Sequence, residues 1–253
     1  MHLEVFALGD STWHRTDPRV KLLGTAGFAV AVATATRFTP LVFALALAAA
    51  TLWTARLDRR KLWIRLAAVN GFVLFLWLFL PFTTPGEALA QWGWLTVRRE
   101  GLELAAAITL KTNAIIMVTI ALLGTSTIFD LVHGLVHLRV PRRLVQLFFF
   151  CFRYITVIHE EYVRLRSSMR IRCFHPRTSI HTYRSMAYLV AMLFVRSYER
   201  SERIYQAMVL RGFSGTFWTL NHFHMHRRDW ALSAGIATAV GLVLALQWGR
   251  SVL

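Results

Sequence analysis

The chain has 253 residues, of which 56% are hydrophobic and only 17% are charged. Soluble domains are typically about 45–50% apolar and about 25% charged, so this composition argues against a soluble domain and indicates a membrane protein. The net charge of +16 would suit a nucleic acid, but the arginines lie between apolar blocks rather than among aromatic residues on a polar scaffold. We therefore expect no nucleic acid partner and a basic surface that faces the cytoplasm.

Five apolar stretches predict transmembrane helices, each of which needs roughly 20 residues to cross a bilayer. They are Leu22–Thr36, Phe38–Thr54, Leu62–Phe82, Gly101–Gly124 and Trp230–Trp248. No alternation typical of β-strands and no internal sequence repeat stands out. The two cysteines, Cys151 and Cys173, are too few for a disulfide framework.

The segment 126–229 differs from the rest, because it holds more than half of the 29 Lys and Arg residues and only short apolar runs. Pro141 suits the first turn of a helix, and we predict two long helices, Arg142–Arg172 and Ser179–Arg211. Glu160–Arg164 and Glu199–Arg203 are i,i+4 pairs that favour these helices.

The predicted fold is an all-α, polytopic membrane protein with about five transmembrane helices and a cytoplasmic domain of long crossed helices. The predicted domains are 1–125 with four transmembrane helices, 126–229 as the cytoplasmic domain, and 230–253 with the last transmembrane helix.

The basic residues also predict the topology. Residues 15–21 and 56–65 are rich in Lys and Arg, whereas the loop Thr83–Val97 has neither. Because basic residues collect on the cytoplasmic side, we expect the N-terminus and residues 126–229 in the cytoplasm and the loop Thr83–Val97 outside. Arg98 and Arg99 are interpreted as interfacial.

Both long helices end in an arginine. One arginine before a glycine is usually a helix cap, since it complements the negative end of the helix dipole. Here the feature is duplicated: Arg172 and Arg211 each follow a methionine (Met169, Met208) and each precede a phenylalanine by two positions. Two helices that end alike predict two prongs for a partner with two-fold symmetry.

Four stretches carry a resemblance to a known family. They are "HRTDPRVKLLG" (14–24), "LRVPRRLVQL" (138–147), "FRYITVIHEEYVRLRSSMRIRCFHPR" (152–177) and "YRSMAYLVAMLFVRSYERSERIYQAMVLRGFSGTF" (183–217). With these residues the chain resembles the CbiQ-type transmembrane (T) component of energy-coupling factor (ECF) transporters for cobalt or nickel.

The resemblance implies specific partners and site residues. Two X-Arg-X motifs of the family insert into grooves on two ATP-binding-cassette ATPase subunits, and they fall here on Ile171-Arg172-Cys173 and Leu210-Arg211-Gly212. The first motif departs from the family in having Cys173 instead of glycine. Further implied partners are a metal-binding S component (CbiM/NikM-like), a small CbiN-like subunit and membrane lipid.

The resemblance also implies a multi-pass protein of the bacterial inner membrane that has no cofactor and no catalytic residue. The chain contains no G-x-x-x-x-G-K-[ST] motif, so ATP hydrolysis is assigned to a partner. The alternatives are a T component that serves vitamin-capture subunits and, more distantly, a membrane-embedded enzyme.

Three further features bear on the function. The histidines of "HFHMH" (222–226) suit a transition metal, but no carboxylate or cysteine lies nearby in sequence, so no metal site is assigned. Lys111, in the middle of a span, would either contact the substrate subunit or bond Asn113 or a carbonyl group of a neighbouring helix. Arg153, Tyr154, Glu160 and Glu161 are interpreted as a brace for the coupling helices rather than as an enzyme site.

Overall fold

The structure, a computed structural model, describes residues 9, 11–85, 87–92, 95–138, 140–215 and 227–248. In this part of the chain the elements are α1 (Pro18–Thr34), α2 (Phe38–Ala55), α3 (Arg59–Thr83), β1 (Ala88–Trp92), β2 (Leu95–Arg98), α4 (Arg99–Leu122), α5 (Ile128–His137), α6 (Arg142–Ile171), α7 (Ile180–Leu210) and α8 (Arg227–Trp248). The predicted all-α, polytopic class is confirmed. Two of the described elements were not predicted. One is the helix α5, and the other is an antiparallel hairpin of β1 and β2, whose strands of 5 and 4 residues are too short to show a clear alternation in the sequence.

Among the residues that the structure describes, four helices are long and apolar enough to cross a membrane: α2, α3, α4 and residues 228–248 of α8. They match four of the five predicted spans. The remaining predicted span, Leu22–Thr36, corresponds to α1, which has 17 residues. It begins four residues earlier than predicted because the side chain of Asp17 caps the helix, accepting the N–H of Arg19 at 2.9 Å, and Pro18 fits the first turn.

The chain divides into two compact units. One comprises His2–Leu138 and Phe223–Leu253, and therefore α1–α5, the hairpin and α8. The other comprises Arg139–His222, with α6 and α7. The short helix α5 packs on α1 within the first unit, whereas the predicted division after residue 125 groups it with the cytoplasmic domain. The functional division into membrane and cytoplasmic domains remains a prediction.

Small residues allow close packing in the first unit, which we call the membrane unit. Its core contains Ala31, Ala44, Ala48, Ala114 and Ala121, all at most 2% exposed. Small side chains let membrane helices approach closely, so that van der Waals contacts hold them together where lipid offers no hydrophobic driving force. By contrast, α3 exposes large apolar side chains such as Trp63, Phe72 and Leu74, as expected for a surface that faces lipid.

Candidate coupling site

The end of α6 is a Schellman motif centred on the first predicted arginine. Arg172 is the C-cap residue, and Cys173 follows with φ = 59°, in the left-handed region. The N–H of Cys173 donates to the carbonyl oxygen of Arg170 at 3.0 Å, and the N–H of Phe174 donates to that of Met169 at 3.1 Å. These two bonds satisfy carbonyl groups that the last turn of a helix would otherwise leave unpaired.

The end of α7 repeats the same motif. Arg211 is the C-cap, and Gly212 follows with φ = 80°. The N–H of Gly212 donates to the carbonyl oxygen of Val209 at 2.9 Å, and the N–H of Phe213 donates to that of Met208 at 3.0 Å. The duplicated methionines and phenylalanines thus occupy the two positions whose side chains usually pack together in this motif. We call Met169–Phe174 the first tip and Met208–Phe213 the second tip.

Both tips expose a cation beside a large apolar side chain. Ile171 is 84% exposed and Leu210 is 88% exposed, and both arginines are exposed as well. Within the described ranges, neither Arg172 nor Arg211 has a hydrogen-bond or ion-pair partner for its guanidinium group. An exposed apolar side chain next to a free fork of five N–H donors suits a protein partner that offers carboxylate or carbonyl oxygens.

Helices α6 and α7 run antiparallel. Gln146, near the start of α6, donates a hydrogen bond from Nε2 to the carbonyl oxygen of Gly215, after the end of α7, at 3.0 Å. At the other end of the pair, the rings of Phe174 and His181 lie 6.4 Å apart. The two tips therefore lie at opposite ends of the pair, about 45 Å apart if the 31 residues of α7 rise 1.5 Å each.

The two helices and their ends contain a repeat that the analysis of the sequence missed. Glu160, Arg164, Met169, Arg172 and Phe174 recur with the same spacings as Glu199, Arg203, Met208, Arg211 and Phe213. Two antiparallel helices with matching ends are exchanged by a two-fold rotation. The second unit therefore has the approximate symmetry that a two-fold partner requires.

Near the middle of the pair, one ion pair joins the two helices. Nη1 of Arg196 on α7 donates to Oε1 of Glu161 on α6, and this hydrogen bond holds the pKa of Glu161 below its usual value. The same glutamate has Oε2 4.0 Å from Arg164, which also lies 4.0 Å from Glu160. Arg196 was not predicted as a site residue, because nothing in the sequence distinguishes it from the other arginines of α7.

The other two residues of the predicted brace lie in a different contact group. The guanidinium of Arg153 lies 5.8 Å from the centre of the Tyr154 ring, which stacks on Phe150 at 6.1 Å. The structure thus places Glu161 in a contact between the helices and Arg153 in contacts within α6. The role of these residues as a brace remains a prediction.

Two polar contacts lie between helices of the membrane unit. Nζ of Lys111 donates to the carbonyl oxygen of Ala33 on α1 at 2.9 Å, so the structure shows one of the two roles considered for this lysine. Asn113 and Asn70 exchange two amide hydrogen bonds, at 2.9 and 3.0 Å, which connect α4 with α3. Such bonds satisfy polar groups that lipid cannot solvate.

The histidines at 222–226 lie outside the described residues. Among the residues that are described, no group of three or more His, Cys, Asp or Glu side chains is arranged to hold a metal ion.

The sequence matches the family model of CbiQ, described as a cobalt transport protein, over residues 9–223. The chain belongs to the CbiQ family. It is 27% identical over 259 residues to the energy-coupling factor transporter transmembrane protein EcfT of Brevibacillus brevis, an alignment that covers 96% of each chain. The EcfT protein of Acidaminococcus fermentans is 26% identical over 256 residues, 95% of this chain and 94% of the relative. The cobalt transport protein CbiQ of Rhodobacter capsulatus is 27% identical over 172 residues, 66% of each chain. The resemblance stated from the four sequence stretches is confirmed.

Proposed function

We propose that this chain is the T component of an ECF transporter that imports cobalt or nickel across the bacterial inner membrane. It catalyses no reaction itself. Two ATP-binding-cassette subunits hydrolyse ATP, and an S component of the CbiM/NikM type, with a CbiN-like subunit as a further candidate, captures the ion. Membership of the CbiQ family supports this proposal, as do the EcfT relatives aligned along nearly the whole chain.

The observation that carries the proposal is the pair of matching tips. Two exposed arginines, each fixed by the same backbone motif, lie at opposite ends of an antiparallel helix pair. In the proposed mechanism, closure of the two ATPase subunits moves both tips. Helices α6 and α7 carry that motion to the membrane unit. The S component then tilts and releases its ion inward.

A T component for vitamin-capture subunits is the second candidate. It is favoured by the relatives named EcfT, because that name specifies no ion. The two candidates share the tips and the ATPase partners, and they differ only in the S component. Co-purification of this chain with its natural partners, followed by identification of the S component, separates them.

The test of the coupling function replaces Arg172 and Arg211 by Ala, Lys and Glu. A charged contact in a partly desolvated groove typically costs ~2–5 kcal/mol when one side is removed. We expect Glu at either position to abolish co-purification of the ATPases or to uncouple ATP hydrolysis from metal uptake. Lysine should rescue only in part, because it lacks the planar fork of arginine.

Arg170→Glu is the matched control, because Arg170 is exposed and lies in the last turn of the same helix. If Arg172 and Arg211 serve only as helix caps, each substitution costs ~0.3–1 kcal/mol of helix stability, and Arg170→Glu should behave like Arg172→Glu. Normal assembly and uptake in the double glutamate variant would contradict the coupling function.

A further inference from the structure

Lys21 is a fully buried cation at the start of α1, with a side chain that is 0% exposed. Its Nζ lies 2.5 Å from Oγ of Ser126, 3.3 Å from Oγ1 of Thr125 and 3.5 Å from the carbonyl oxygen of Thr125. These three acceptors match the three N–H donors of an ammonium group. Because a buried charge is costly unless it is paired and hydrogen-bonded, so complete a set of acceptors indicates a specific role.

These contacts connect Lys21 with the turn that follows α4. Thr125 and Ser126 form the buried turn between α4 and α5, and α5 is the last described helix before α6. The helix beyond this turn also packs closely on α1, because a Cβ atom added at Gly134 would lie 3.2 Å from Cδ1 of Leu22 and 3.4 Å from Cβ of Pro18. The chain is therefore fastened to α1 shortly before it enters the second unit.

Asp17, four residues before Lys21, contacts the start of α8, which follows the second unit in the chain. Its N–H donates to Oδ1 of Asp229 at 3.2 Å, and Asp229 is a buried residue in the first turn of α8. The helix beyond this contact is also close to α1, since a Cβ atom added at Gly24 would lie 3.0 Å from Cγ2 of Ile236.

Three carboxylates, those of Asp17, Asp130 and Asp229, belong to the surroundings of Lys21. One turn of α1, within the stretch "DPRVK", thus holds the chain on both sides of α6 and α7.

We propose that Lys21, as a positioning residue, and the backbone N–H of Asp17 anchor both ends of the coupling segment to the start of α1, so that motion of α6 and α7 reaches the membrane helices through this anchor. The proposal rests on the coupling function proposed above. The anchor holds no ion and does not contact the ATPases; its role is to make the membrane unit follow the coupling helices.

The test uses the complete transporter in proteoliposomes and measures both ATP hydrolysis and metal uptake. Lys21→Met keeps the length of the side chain and removes its charge and donors. We expect the ATPase subunits to remain bound and active while uptake per ATP falls ~10-fold, in the range by which single residues change coupling. Lys61→Met is the matched control, since Lys61 is 51% exposed, and it should leave uptake per ATP unchanged.

A covalent link should rescue the variant. Cysteines at Pro18 and Gly134 would have Cβ atoms about 3.4 Å apart, close to the spacing of a disulfide. Their oxidation in Lys21→Met should restore uptake per ATP, and reduction should remove it again. Lys21→Met without the added cysteines, oxidised in the same way, is the control for the natural Cys151 and Cys173, which are both exposed.

Two outcomes would overturn the anchor: unchanged uptake per ATP in Lys21→Met, or a loss of uptake per ATP that oxidation of the disulfide does not reverse. Failure of the coupling function itself would appear differently, as normal assembly of the Arg172 and Arg211 glutamate variants.

Discussion

Each tip contains one residue with a left-handed backbone conformation, but the two residues differ in whether they carry a side chain. Gly212 adopts φ = 80° without penalty, whereas Cys173 adopts φ = 59° with a Cβ atom. A non-glycine residue in this region typically costs ~1 kcal/mol. The first tip therefore keeps its geometry at the expense of local strain.

Replacement of Cys173 by glycine should accordingly stabilise the protein. We expect Cys173→Gly to raise the free energy of unfolding by up to ~1 kcal/mol and Gly212→Ala to lower it by about as much. Steric clash does not contribute at Gly212, because a Cβ atom there would meet no described atom within 4 Å. Denaturant unfolding of the purified chain in detergent measures both, and destabilisation by both substitutions would show that backbone strain is not the deciding term.

The histidines of residues 222–226 give a second prediction at this scale. Replacement of His222, His224 and His226 together by alanine should leave metal uptake largely intact, because the S component is proposed to bind the ion. Uptake of radioactive cobalt by the complete transporter measures this. Lost uptake in a fully assembled complex would show that these histidines handle the ion.

At the scale of elements, the contact between α6 and α7 depends on Glu161 and Arg196. We expect Glu161→Gln to increase hydrogen exchange in the middle of both helices, because this contact joins them across the pair. Glu199→Gln is the matched control, since Glu199 pairs with Arg203 within α7 at 4.0 Å. Equal exchange in the two variants would show that the pair does not hold the helices together.

The contact between Glu161 and Arg196 also predicts that the stability of the protein depends on pH. Because Arg196 stabilises the ionised carboxylate, the folded-state pKa of Glu161 lies below its usual value. The stabilisation is therefore complete above the usual pKa of a glutamate, about 4.3, and is lost as the pH falls through the lowered value. We expect the difference in thermal unfolding between the natural chain and Glu161→Gln to be constant near neutral pH and to disappear in acid; an unchanged difference there would contradict this.

The sequence predicted several of the helices correctly but missed other elements and contacts. Long apolar runs predicted α2, α3, α4 and α8, and the arginine motifs marked the ends of α6 and α7. The helix α5 was not separated from the coupling segment, because an apolar run of ten residues is too short to indicate a membrane span. The contacts of Lys21 and of Arg196 depend on residues 104 and 35 positions away, and only tertiary packing brings them together.

At the scale of the whole molecule, the orientation in the membrane remains a prediction from the distribution of basic residues. In a chain without its natural cysteines, a single cysteine at position 90 should react with a probe that cannot cross the membrane, and one at position 178 should not. The physical reason is the excess of Lys and Arg in residues 126–229 and their absence from the loop Thr83–Val97. Labelling of intact cells in the reverse pattern would contradict this topology.

The repeated tips have a consequence for how an assembly is oriented. Half a turn about the local axis exchanges the tips and presents a partner with the same backbone motif and the same arginine. The tips are not identical, because Arg170 of the first tip stands where the second has Val209. Ile171 against Leu210 and Cys173 against Gly212 are smaller differences. A partner made of two different subunits could therefore bind in one orientation by recognising one extra positive charge on the first tip.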